Sequence, residues 1–376
     1  MKPFLLFLSL CMVFLNTKGQ SDSSWIMFIN KSTDLIGYKN SKGEIQIEPK
    51  FTYLTQQKIF KNIMPVYEKI SDSENGTIKY YLLKNGKKVG KDSLYLGDYF
   101  LDCENENKIR FRDPKTDKVG FFDKNGQVVI PAIYNDVTSF HNGLAVTIRE
   151  GKRMCWEGGE YSKENPCEHW SWVGRYLLIN DKNEILLDSI DLNKFQNIDF
   201  YSLQINPEII KPDFIEFKSG NGNTYAFRDY KKEFEQWFYT VFLKNKTSQD
   251  MAGYLFPEIT IPKQGELKSK EMNNPKYMDY AWIVEEGKTV LKENAEIIRK
   301  ILNKINNKEY ITTISKSPAP ILLDEIKYPE YFSDCGDYLE KKYPYFEVTI
   351  TNNNGLVLNG LGFIRSTEGY KLLEIH

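Results

Sequence analysis

The feature that most restricts what this chain can fold into is a pattern that recurs along it. Residues 119–146 read VGFFDKNGQVVIPAIYNDVTSFHNGLAV. Two β-rich runs, 121–123 and 127–130, flank Lys124-Asn125-Gly126, and Asn-Gly is the strongest short hairpin signal because both residues tolerate positive φ. Pro131 has no N–H to give to a ladder, so it reads as the end of the second strand. Earlier, IGYKNSKGEIQIEPKFTYL superposes on this stretch, Gly37 on Gly120 and Pro49 on Pro131, with one residue's difference in the turn. Weaker copies follow near Tyr80, YYLLKNGKKVG, and near Trp172, WVGRYLLINDKNEILL. The copies start near 37, 80, 120 and 174, intervals of 43, 40 and 54, the last lengthened by a cysteine-bearing insertion. A period of that size means one supersecondary unit repeated, each copy needing neighbours to bury its apolar face.

These units resemble WG repeats, β-rich units of bacterial proteins that read Trp-Gly-Tyr/Phe, an Asp-x-x-Gly turn, Val-Ile-Pro-x-x-Tyr-Asp and a closing Gly-Leu-Ala-Val. Val119-Gly120-Phe121, Asp123 and Gly126, Val129-Ile130-Pro131, Tyr134, Asp136 and Gly143-Leu144-Ala145-Val146 carry the resemblance. Ile36 and Val119 stand where Trp is usual, only Trp172 keeps an aromatic there, and the copies near 80 and 174 lack the proline and the Gly-Leu-Ala close. The resemblance covers roughly residues 30–205. It implies an interaction or structural module and brings no shared catalytic residues. Most of the repeat residues serve the backbone and the core: Gly37, Gly120 and Gly126 for conformation, Tyr38, Phe121, Val129 and Tyr134 for packing.

Two partial motifs in the repeats fail on their spacing. Asp123-x-Asn125-Gly126 lacks the further oxygens and the closing Glu of a calcium loop, and Gly86 to Gly90 has one residue too few, with Asp92 where a phosphate loop needs Ser or Thr. The first is read as a hairpin turn, and the phosphate-loop reading of the second is dismissed.

Composition sets the wider frame. With 41% hydrophobic residues the chain can build packed cores, and 50 basic against 51 acidic residues leave a net charge of -1, no field to draw nucleic acid or an anionic membrane. The opening MKPFLLFLSLCMVFLNTKGQ has the charged, apolar and small-residue regions of a signal peptide, with an apolar run too short to span a bilayer. Residues 1–19 are therefore expected to be removed, leaving an exported chain, periplasmic or extracellular, with no transmembrane segment. Leu10 before Cys11 is too large for a lipoprotein signal. The remaining Cys103, Cys155, Cys167 and Cys335 make disulfides plausible in an oxidising compartment. Cys155 and Cys167 bracket a short polar loop and are expected to pair; Cys103 and Cys335 are either a second bridge or two buried thiols.

Past residue 225 the grammar changes. Tyr230, Phe234, Trp237, Phe238, Val241 and Phe242 recur at helical spacing, as do Val290, Ile297, Ile298, Ile301, Leu302 and Ile305 within 288–306, with a polar loop at 265–276 between the two helices. FEVTI, LVLNGLGFIR and YKLLEI then predict an antiparallel meander. The expected fold is a mainly β array of hairpin and meander repeats over 20–215, with a braced insertion at 150–171, followed by an α+β domain over 225–376. In element order the latter is similar to NTF2-like folds.

Chemistry is sparse. Three histidines, His141, His169 and His376, bound any His-assisted mechanism, and no Gly-x-Ser-x-Gly, HExxH or CxxC is present. No catalytic residue, metal or cofactor is assigned. The densest cluster lies in CWEGGEYSKENPCEHWSW, residues 155–172, with three of the six tryptophans. A zinc site on Cys155, Cys167 and His169 has tight spacing and no fourth ligand, so the disulfide is favoured. Trp156, Tyr161, His169, Trp170 and Trp172 are the candidate ligand-binding residues, either an exposed binding face or a small core beneath the loop. The function this favours is a non-catalytic binding module for a protein or glycan at the cell envelope. The alternative is an enzyme acting on a surface polymer, with Glu157, Glu160 or Glu168 as acid and base.

Overall fold

A computed structural model describes residues 24–71, 76–97, 100–244, 251–262, 282–305 and 307–375. The expected signal segment 1–19 and the polar loop 265–276 lie outside the described residues. The described chain is mainly β, with its two longer helices late in the sequence.

Among the described residues, four three-stranded antiparallel meanders follow one another: Trp25–Asn30, Leu35–Lys39 and Ile45–Phe51; Ile63–Lys69, Thr77–Leu83 and Lys88–Val89; Lys108–Asp113, Lys118–Asp123 and Val128–Tyr134; Leu144–Cys155, Trp170–Asn180 and Ile185–Leu187. In each, the second and third strands are joined by the same turn. The N–H of Asn40, Leu83, Asp123 or Asn180 donates to the carbonyl four residues on, and the N–H of Gly43, Gly86, Gly126 or Asn183 donates back to that first residue. These last four are left-handed, with φ of 84°, 85°, 71° and 65°. Glycine adopts that conformation freely, and Asn tolerates it best among the rest. Only Gly126 of the Asn125-Gly126 pair has positive φ. The hairpin is thus a type I turn closed by a bulge, not the two-residue turn that Asn-Gly suggests.

The two best copies share their irregularities. Ile36 pairs with Phe51 and Tyr38 with Ile47; Val119 pairs with Tyr134 and Phe121 with Ile130. In both, a two-residue step on one strand faces a four-residue step on the other, and every partner in the second copy stands 83 positions after its equivalent in the first. The turn bonds keep that offset too, so the turn is not where the copies differ; the proline alone is displaced by one. Pro49 and Pro131 both lie in the extra length of the bulge, where a missing N–H breaks no ladder bond. The strand Val128–Tyr134 therefore runs through Pro131 instead of ending there.

The glycine opposite each bulge allows the close approach. A Cβ on Gly37 would stand 2.7 Å from the Ile47 carbonyl oxygen, and one on Gly120 2.4 Å from that of Ile130. Gly120→Ala is expected to cost about 1–3 kcal/mol as overpacking. That should appear as a lower urea midpoint at unchanged slope.

Counting back from the shared turn corrects the fourth copy. Tyr176, not Trp172, holds the position of Val119, four residues before the turn, because the strand Trp170–Asn180 extends beyond the length of its equivalents. Gly174 serves another contact, since a Cβ there would meet the Gly151 Cα at 2.7 Å. Gly143-Leu144-Ala145-Val146 lies past the third meander: Leu144 begins the first strand of the next. A further copy of the turn, at Ser219 to Asn223, joins Phe214–Lys218 to Thr224–Asp229, but Thr224–Asp229 lies between its two neighbours and no meander forms.

Consecutive units share cores through strand alternation. Phe122 packs with Ile63, Tyr81 and Ile109, while the adjacent Phe121 faces the other way and joins Ile130, Leu177 and Ile179. Tyr38, Tyr81 and Phe121, equivalent by the turn count, are all buried.

Beyond the repeats, Asp229 caps the helix Tyr230–Thr240 by accepting from the N–H groups of Lys231 and Lys232. A second helix spans Gly287–Ile305. A six-stranded sheet runs in the order Trp282–Glu286, Leu255–Pro262, Gly369–Ile375, Val357–Ser366, Tyr345–Asn352, Tyr310–Ser317. Its last three strands in sequence form the expected antiparallel meander. Leu255–Pro262 adds to it in parallel, a pairing that local pattern does not signal. Phe234, Phe238, Val290, Ile298 and Leu302 from the helices pack on Phe346, Val348 and Phe363 of the sheet. None of the described helices is long and apolar enough to cross a membrane.

Candidate functional site: an aromatic arm on the fourth meander

The first two strands of the fourth meander are its longest because they continue past a bulge. Their register shifts between Arg149 and Lys152, where Glu150 takes φ 56°. Asn135 pins the bulge: its Oδ1 accepts from the Gly151 N–H at 2.9 Å and its Nδ2 donates to the Gly151 carbonyl at 3.1 Å. Beyond it a two-stranded ribbon pairs Lys152 with Val173, Arg153 with Trp172, Met154 with Ser171 and Cys155 with Trp170. The Cys155–Cys167 disulfide closes the tip. That bond occupies both sulfurs a zinc site would need.

Strand alternation divides the five candidate residues between two faces. On one face the Arg153 guanidinium lies 4.6 Å from the Trp170 ring and 4.9 Å from Trp172, with Asp117 holding it at 2.6 Å. Tyr161 leans on Trp170 from 6.5 Å. Trp170 and Trp172 are half-buried in this stack, so this half of the cluster is packing. On the other face Trp156 is 70% exposed. Its ring stacks on His169 at 5.0 Å and its Nε1 donates to Ser171 Oγ at 2.9 Å, while its backbone N–H donates to the His169 carbonyl at 3.0 Å. One ring face is covered, the N–H is satisfied and the second face points outward. Glu157, Glu160 and Glu168 are exposed at the same tip, with Glu160 paired to Lys152 at 2.8 Å.

Residues 120–152 match a family model described as WG containing repeat. The chain carries a WG repeat. The matched stretch begins in the second strand of the third meander and ends at the Glu150-Gly151 bulge of the fourth, so the WG unit is out of phase with the structural meander. The arm tip lies just beyond it. No curated protein and no solved structure matches the chain.

Sequence reading missed a cleft of about 660 Å³, framed by residues 103–107 and 139–141 of the meander array and by 332–342 from the C-terminal part. The Cys103–Cys335 disulfide joins its walls, beside an ion pair of Lys61 with Asp334 at 2.8 Å. Glu104 accepts from the N–H groups of Asn62 and Ile63, each at 3.2 Å, and from Asn62 Nδ2 at 2.6 Å. Glu106 accepts from the N–H groups of Asn142 at 2.5 Å and Gly143 at 2.8 Å. Burial raises the Glu104 pKa despite its donors, and burial lowers that of His141, which favours the neutral ring. The one sequence signal for this cleft was the leftover pair Cys103 and Cys335.

Proposed function

We propose that this chain is an exported, non-catalytic binding module in which the WG array is a rigid β scaffold and Trp156 is the contact for a protein or glycan at the cell envelope. The observation that carries this reading is that Trp156 is 70% exposed yet held by His169, Ser171 and the disulfide-closed tip. A rigid aromatic face has lost its conformational freedom at folding, so ligand binding loses less in ordering it. Export is supported by the signal-like residues 1–19 and by two disulfides. The acids of the enzyme alternative, Glu157, Glu160 and Glu168, stand on an open surface, which supports binding over acid–base chemistry. For the C-terminal part, 225–376, an NTF2-like domain rests on element order alone.

Trp156→Ala tests the reading. An exposed change of this kind is expected to shift stability by no more than about 0.5 kcal/mol. Cosedimentation with a purified envelope fraction of the host should weaken about tenfold or more, as for an aromatic hot spot. Unchanged cosedimentation would remove Trp156 from the site. Trp170→Ala is the control, expected to lower the melting temperature because its ring packs on Arg153.

A further inference from the structure

We propose that the cleft between the WG array and residues 332–342 binds a neutral saccharide, at a site separate from the Trp156 arm. Its volume, about 660 Å³, is that of a small-molecule site. The first argument is from charge. Lys61 is paired with Asp334 at 2.8 Å, and Glu340 lies 3.6 Å from Lys341 and 3.7 Å from Lys316. Glu104 and Glu106 are held by backbone N–H groups of the neighbouring units. An ionic ligand would have to compete with these contacts, Lys342 and Asp337 being the lining charges that lie outside them. A polyhydroxyl ligand would not, because the carboxylates keep lone pairs and the ammonium groups keep N–H bonds for hydroxyls.

The second argument is from the rings. Tyr201 and His141 line the array side and Phe332 and Tyr338 the opposite side, so rings stand in both walls. A pyranose presents C–H groups on its faces and hydroxyls at its rim, which fits rings on two sides and polar groups around them. Among the described residues the Tyr201 hydroxyl and the His141 ring nitrogens have no hydrogen-bond partner, and Tyr201 is 42% exposed. A neutral imidazole offers one donor and one acceptor, as a hydroxyl does. The walls are fixed by the Cys103–Cys335 bond, so the site is formed before ligand arrives.

The test uses the full mature chain and ligand-observed NMR backed by calorimetry, with N-acetylglucosamine, N,N′-diacetylchitobiose, cellobiose and maltose as neutral probes and glucuronic acid as the anionic one. At least one neutral probe should bind saturably, with Kd at or below about 1 mM. Tyr201→Ala should weaken it tenfold or more, Tyr201→Phe by less, and Trp156→Ala should leave it unchanged. A melting curve for each Tyr201 variant separates loss of the site from loss of the fold, and the Phe variant keeps the ring if the Ala variant is unstable. The proposal is overturned if no neutral probe binds, if glucuronic acid alone binds, or if Trp156→Ala removes binding that both Tyr201 variants retain. Failure of the arm in envelope cosedimentation leaves this measurement untouched, so the two readings fail separately.

Discussion

Replacing Cys103 and Cys335 together by serine is expected to lower stability by about 5 kcal/mol in the chain-entropy model, because the bridge closes a loop across 232 residues. The same exchange at Cys155 and Cys167, 12 residues apart, is expected to cost about 3 kcal/mol. The ion pairs across the cleft seam add little. Lys58 with Glu325 at 2.6 Å and Lys61 with Asp334 at 2.8 Å join partly exposed groups, and pairs of that kind are worth about 0–1 kcal/mol each. The covalent bond is therefore expected to contribute most to holding residues 332–342 against the meander array. Urea midpoints of the two double variants, measured beside the wild type, check the ordering. A larger loss from the short loop than from the long one would show that the seam holds without its bridge.

The repeat was legible because each feature of it is local. Gly43, Gly86, Gly126 and Asn183 mark a turn that four residues define, and apolar periodicity marks the strands beside it. What the local pattern misplaced was phase. Gly143 to Val146 looks like the end of a unit because it follows Tyr134 and Asp136 in the chain, yet Leu144 belongs to the strand that starts the next meander. Trp172-Val173-Gly174 looks like the start of one, but the bulge at Glu150-Gly151 extends the hairpin and moves the equivalent position to Tyr176. A bulge is set by two strands together, so one strand's sequence does not reveal it.

The candidate site was legible in composition and not in arrangement. Five aromatic and imidazole side chains within 17 residues read as one cluster, whereas strand alternation sends Trp170 and Trp172 to Arg153 and leaves Trp156 and His169 on the far face. The cleft was not legible, since its walls come from residues more than 200 positions apart and no spacing rule joins Glu104 to Asp334. The parallel pairing of Leu255–Pro262 with Gly369–Ile375 was hidden for the same reason.

A buried ion pair of Asp102 with Arg110 stands next in sequence to Cys103 of the cleft, and breaking it is the other change with a large expected effect. The Asp102 side chain is 3% exposed and that of Arg110 17%. Asp102 Oδ2 accepts the Arg110 backbone N–H at 2.7 Å and Oδ1 accepts its Nε at 3.0 Å, while Nη1 of the same guanidinium donates to the Val137 carbonyl at 3.0 Å and its plane lies 4.2 Å from the Tyr95 ring. Asp102→Asn removes the anion and leaves the cation buried, for which about 3–5 kcal/mol is the expected loss. Glu160→Gln, which breaks the exposed Lys152 pair, should leave the urea midpoint nearly unchanged. Because Asp102 immediately precedes Cys103 and Glu104, its loss should also free the backbone that Glu104 and Glu106 hold, so hydrogen exchange should quicken at Asn62, Ile63, Asn142 and Gly143. Replacing both partners, Asp102→Leu with Arg110→Met, should recover part of the stability, since an apolar pair of similar volume leaves no charge unsatisfied. A loss below about 1 kcal/mol for Asp102→Asn, or equal losses for the single and double variants, would mean that this pair does not anchor the chain beside Cys103 and Glu104.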